Sequence, residues 1–146
     1  MTAAQAFSIA NPFALVGWAL LVVAVISGRP WLRDTVAGRI WPLLLSLLYV
    51  VALGLGWGTA GGGFSSLAAV RQLFSGDWTL LAGWVHYLAF DLFVGAWIAA
   101  ETERAGLSTL VLIPVLPLTF LFGPAGFLLF LILRQVLAGA AERKAS

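Results

Sequence analysis

Two ionisable side chains interrupt one long apolar run. Trp78 to Trp97 reads WTLLAGWVHYLAFDLFVGAW, and His86 and Asp91 bracket its midpoint. A histidine and a carboxylate at one site can give a proton to one atom and take a proton from another. An aspartate near the bilayer centre costs about 2.5–3.5 kcal/mol on insertion scales, so it should face the bundle interior and hold a partner. Asp91 follows Trp84 by seven residues and Tyr87 by four, and Gly95 follows four later. These four form one helical stripe, and Gly95 would let another helix approach closely. His86 lies about 140° away around the helix, so in a straight helix the pair cannot touch. The two either flank a shared pocket or face different neighbours. Tyr49, Thr119 and Asn11 are the expected partners of Asp91. Trp84, Tyr87, Phe90 and Tyr49 would line a ligand site. The competing reading is structural, with Asp91 as a buried anchor and His86 satisfied by a hydrogen bond across the bundle.

Other chemistries are excluded by what is missing. There is one histidine, no cysteine and no second carboxylate beside Asp91 on its helix, so neither a metal site nor a disulfide is expected. Two histidine ligands for a haem cannot come from one chain. Gly61-Gly62-Gly63 has no following Lys-Ser/Thr and is a linker, not a phosphate loop. No cofactor is expected. Eight basic and six acidic residues are scattered without a basic stripe, so no nucleic-acid partner is expected.

The elements that must position His86 and Asp91 are membrane helices. The chain is 62% hydrophobic and only 10% charged, with a mean hydropathy of +1.02. A soluble domain carries about 25% charged residues. One integral membrane domain is expected over residues 1–146. The first span is read from Pro12 to Ser27, reaching back toward Phe7, with Asn11 as cap and Pro12 in the first turn. Its N-terminal stretch lacks a basic n-region, so the span should be retained. A polar link with Arg29, Arg33, Asp34 and Arg39 follows. The second span is read from Ile40 to Trp57, with Pro42 in its first turn. From Phe64 to Phe74, Phe64, Leu67, Val70 and Phe74 fall on one side at helical spacing. This is either a short interfacial helix or a loop helix packed on the bundle. The third span is Trp78 to Ala100, with Asp77 as N-cap. Trp31, Trp41, Trp57, Trp78 and Trp97 lie near the span ends, where aromatic belts form.

The last apolar stretch, Leu107 to Leu137, contains Pro114, Pro117 and Gly123-Pro124. It is one broken helix or two short segments turning at Gly123-Pro124. Broken membrane helices often line a cavity. The fold expected is an all-α polytopic bundle of four transmembrane helices, the last broken at Gly123-Pro124, with five crossings as the alternative. Charge favours five, because Arg134, Arg143 and Lys144 then join Arg29, Arg33, Arg39 and Arg104 on one side, against Arg71. Length favours four, because each half would hold only about 15 residues. Either version puts the Arg29–Arg39 loop in the cytoplasm. The short chain suggests a bacterial inner membrane. The oligomeric state is left open.

The order of motifs then resembles a family. Phe74-Ser75-x-Asp77 precedes Leu81-Ala82-Gly83-Trp84-Val85-His86, then Asp91-Leu92-Phe93, and finally Leu121-Phe122-Gly123-Pro124-Ala125-Gly126. This pattern resembles the ABA4-like family of small membrane proteins of plants, algae and bacteria. Its plant members are required for making neoxanthin from violaxanthin. The resemblance implies a carotenoid or isoprenoid lipid as ligand, within the bilayer and among membrane lipids. If the protein is an enzyme, it implies an intramembrane carotenoid isomerase that opens an epoxide to an allenic alcohol, with His86 and Asp91 as the acid–base pair. The alternative is a non-catalytic pigment-binding or membrane-complex assembly protein.

Overall fold

Hydrocarbon offers no hydrogen bonds, so a chain this apolar must satisfy its backbone internally. The computed structural model describes residues 1–59 and 61–145, with side chains through residue 137. Among them the fold is all-helical, without strands. Four helices are long and apolar enough to cross a membrane: Ala3–Ser27, Leu32–Gly56, Asp77–Arg104 and Thr109–Leu137.

Helix α1 (Ala3–Ser27) starts nine residues before the expected Pro12. Thr2 and Gln5 form a reciprocal capping box, and the Gln5 amide donates to Thr2 Oγ1 at 3.2 Å. Pro12 therefore lies inside the helix, and Asn11 is not its cap. Ala3, Ala6, Ala10 and Ala14 recur every three or four residues and pack against Leu81, Val85 and Leu88. These small side chains let the two helices approach closely.

The expected polar link before the second span is helical instead. Leu32–Ile40 forms a π-helix that runs straight into α2 (Trp41–Gly56). A proline has no N–H and its ring pushes against the carbonyl four residues back. Pro42 sits at this junction, and the wider π spacing accommodates it: the Trp41 amide donates to Val36, five residues back. Arg33 pairs with Asp34 at 2.7 Å and with Glu103, which ties this segment to the end of the third span.

Helix α3 (Leu67–Leu73) is short and capped by Ser66. Only Leu73 in it is buried, while Phe64 and Leu67 stay exposed. Helix α4 (Asp77–Arg104) is the hub. Its most apolar window is 56% buried, against 28–33% for the other three spans. Gly76 is its N-cap, and Asp77 is its first helical residue rather than the cap. A carboxylate there still favours the positive end of the helix dipole.

Helix α5 (Leu112–Ala145) breaks at Phe122 (φ −146°, ψ 57°), immediately before Gly123-Pro124. Its two halves fold against each other. A Cβ on Gly126 would collide with the Thr119 backbone nitrogen and Cα, an approach impossible for residues seven apart in a continuous helix. The first half descends along α4, from the Leu107 amide bonded to Thr102 down to Phe120 beside Tyr87. The second half climbs back. Gly123 meets Asp91, Phe127 and Phe130 pack on Trp97, and Arg134 pairs with Glu101 at 3.0 Å. The last helix is thus broken where the Gly-Pro pair predicts, and the break is folded into a hairpin whose apex lies at the middle of α4. Arg143 and Lys144, counted in the charge argument, lie outside the residues whose side chains are described.

Candidate functional site

The helical spacing of α4 sends the sequence-predicted residues in two directions. Trp84, Tyr87 and Asp91 turn toward α1 and the α5 hairpin. His86 and Phe90 turn toward α2, where they meet Tyr49. The two groups share a helix but not a cavity.

Asp91 lies at the hairpin apex and is 7% exposed. Where α5 breaks, the last carbonyls of its first half and the first amides of its second half lose their helical partners. The Tyr87 hydroxyl reaches two of these carbonyls, Leu121 at 2.7 Å and Phe120 at 3.0 Å. The Gly123 backbone packs directly against the Asp91 carboxyl group, and Tyr87 stands one turn before Asp91 on α4. A carboxylate at the start of the second half-helix also meets the positive end of its dipole. Glycine is needed at 123, because a Cβ would collide with the Asp91 carboxyl group. Asp91 Oδ2 is the one buried side-chain polar atom without a hydrogen-bond partner among the described residues.

Three partners expected for Asp91 are engaged elsewhere. Thr119 donates to Val115 at 2.8 Å, within its own helix. Asn11 accepts from Trp84 Nε1 at 2.7 Å. Tyr49 packs on His86. What packs against the Asp91 carboxyl group instead is the backbone at Gly123. Gly95 serves as expected: its bare Cα takes the Trp18 ring of α1.

His86 is exposed, and its ring stacks on Phe90 at 4.6 Å and 19°. Tyr49 lies 5.7 Å away at 59°. Further along the same face, Pro42, Leu43, Ser46, Ala89, Phe90 and Phe93 line a groove of 270 Å³. Trp84 stands apart, between Phe7 at 5.9 Å and Tyr87 at 5.3 Å. Among the described residues no cluster of three or more histidine or acidic side chains could hold a metal ion.

The family model described as ABA DEFICIENT 4-like matches residues 5–130. The chain belongs to the ABA4-like family. No curated protein and no solved structure matches it. The matched region of this ABA4-like protein runs from the first helix through the hairpin apex to Phe130, so it contains His86, Asp91 and Gly123 alike. Sequence reasoning found the ionisable pair but missed the backbone of Phe120, Leu121 and Gly123. The Gly123-Pro124 break was the signal for that backbone, since a helix can only leave groups free where it stops. The groove-lining role of Pro42, Leu43 and Ser46 had no signal, because leucine and proline are ordinary in a membrane span.

Proposed function

We propose that this ABA4-like protein binds an isoprenoid lipid of the carotenoid class along the α2/α4 face. His86 carries the reading. It is an exposed ionisable side chain midway along its span, and it sits in an aromatic setting of Phe90 and Tyr49. A long conjugated chain is flat and apolar, and it stacks on aromatic faces as aromatic rings do on one another. An oxygen on such a ligand would find the imidazole as its hydrogen-bond partner. On this reading Asp91 shapes the bundle from the other side of α4 and does not touch the ligand. The epoxide opening implied for the family needs an acid and a base at one ligand, and of the expected pair only His86 lies on the face that carries the groove, stacked on Phe90. Binding is therefore the better supported function, and an isomerase built on His86 is the alternative. The bacterial inner membrane, with the Arg29–Arg39 segment toward the cytoplasm, belongs to the same proposal.

The test is pigment analysis of protein purified in mild detergent from a carotenoid-producing host. Wild type, His86→Ala and Asp91→Asn are compared at equal folded yield. The carotenoid should co-purify with wild type and with Asp91→Asn, and should fall several-fold in His86→Ala without loss of thermal stability. A wild type free of pigment, or His86→Ala retaining it fully, would overturn the reading. A carotenoid altered chemically by the wild type and unaltered by His86→Ala would establish the catalytic alternative.

A further inference from the structure

The groove below His86 does not end in hydrocarbon. A second depression of 130 Å³, lined by Asp34, Gly38, Arg39, Phe93, Ala96, Trp97, Ala100 and Arg104, continues it toward the end of α4. The two share Gly38, Arg39 and Phe93. The floor is made of Gly38, Ala89, Ala96 and Ala100, whose small size opens the space between the helices. Phe90 and Phe93 form one wall and Leu43 the other. From His86 to Arg104 the face extends about 27 Å along α4.

Its polar end is short of anions. Among the described residues, Arg29, Arg33, Arg39, Arg104 and Arg134 cluster with only three carboxylates, Asp34, Glu101 and Glu103. Each of these is engaged: Asp34 and Glu103 pair with Arg33, and Glu101 pairs with Arg134 at 3.0 Å and Arg104 at 3.6 Å. Arg39 has no carboxylate partner among the described residues, yet it lines both depressions. Arginine takes phosphate with two parallel N–H donors, and basic pockets between helices at a membrane surface hold anionic lipid heads.

We propose that this groove holds an anionic phospholipid of the surrounding bilayer. Its phosphate sits between Arg39 and Arg104, and one acyl chain lies along Pro42, Leu43, Phe90 and Phe93. The apolar length fits a chain and the unpaired arginine fits a head, and both lie on one continuous surface. This goes beyond the isoprenoid reading, since the lipid is held by its head at the arginine end and needs neither His86 nor a carotenoid, although its acyl chain and an isoprenoid would compete for the same groove.

Native mass spectrometry of the full chain in mild detergent tests it, with phosphatidylglycerol or phosphatidylcholine added. Wild type should retain phosphatidylglycerol at least about tenfold more tightly than phosphatidylcholine. The double substitution Arg39→Gln with Arg104→Gln should lose that preference. Arg71→Gln, at the other end of the bundle, should keep it. Leu43→Trp fills the chain groove without touching the head site and should weaken binding on its own. Equal retention of both lipids, or a double variant that binds phosphatidylglycerol like wild type, would overturn the proposal. So would full competition by inorganic phosphate, which would make the site one for free anion. A lipid-free dimer abolished by the double variant would assign the face to a second copy instead. Pigment content is read separately in each sample, so failure of the isoprenoid reading leaves this result standing.

Discussion

Asp91 and His86 are five residues apart, and their environments assign them opposite kinds of effect. Asp91 is enclosed, and the Gly123 backbone packed against its carboxyl group has no water to turn to, whereas the Tyr87 hydroxyl already donates to the Leu121 and Phe120 carbonyls. Leaving a buried donor unpaired costs about 1–3 kcal/mol. Asp91→Ala should therefore destabilise the bundle by about that amount. Asp91→Asn keeps an acceptor oxygen for Gly123 and should fold almost as well. His86→Ala removes an exposed ring and should stay within about 0.5 kcal/mol of wild type. Thermal unfolding in detergent reads all three. If Asp91→Ala melts with the wild type, the carboxylate is not holding the hairpin, and its burial needs another cause. The insertion cost of a mid-span aspartate made its burial legible in the sequence. The 140° offset likewise made its separation from His86 legible. Its surroundings were not legible, because backbone groups at a break carry no residue-type signature, and the three polar side chains that looked available lie elsewhere: Thr119 bonds within its helix, Asn11 accepts from Trp84, and Tyr49 packs on His86.

The hairpin is the element on which the interior depends, and two glycines make it possible. At Gly126 an added Cβ would meet the Thr119 backbone, which cannot rotate aside as a side chain can. Gly126→Ala should cost about 1–3 kcal/mol or force the halves apart. Gly54 of α2 offers a control, since nothing lies within 4 Å of a Cβ there. Gly54→Ala should be neutral or stabilise by about 0.5–1 kcal/mol, because alanine loses less backbone entropy in a helix. If both variants unfold alike, the tight crossing is not a determinant of stability. The prolines and Gly123-Pro124 announced a broken helix in the sequence, and the break occurs at the neighbouring Phe122. They did not announce its angle, because the same residues permit a mild kink or a full reversal. What decides it is packing: Thr119 against Gly126, and Gly123 against the Asp91 carboxyl group. The helical start of the second span was hidden for a different reason. Arg33, Asp34 and Arg39 look like a water-exposed link, yet an ion pair to Glu103 and π spacing ahead of Pro42 make a helix of it.

For the whole molecule the hairpin changes where charge falls. With its apex at the level of Asp91, α5 leaves on the side from which it entered. Arg134 returns to Glu101, the end already occupied by Arg29, Arg33, Arg39 and Arg104. Among the described residues the opposite end keeps only Arg71. Counting charge favoured an odd number of segments, while counting length refused two crossings of about 15 residues each. A hairpin that reaches only the membrane centre meets both demands, since neither half has to cross. On the proposed orientation, in which basic residues stay inside, the arginine-rich end faces the cytoplasm. The chain has no cysteine, so single cysteines can be introduced without a background. Cysteines replacing Ser108 and Leu137 should both react with a membrane-impermeant thiol reagent from the cytoplasmic side only. A cysteine replacing Ser66 should react from the opposite side. Labelling of the Leu137 position together with Ser66 would mean that the last element crosses, and Arg134 would then have to leave Glu101. Labelling of Ser108 and Leu137 from the outer face would keep the hairpin and invert the whole molecule, against its charge.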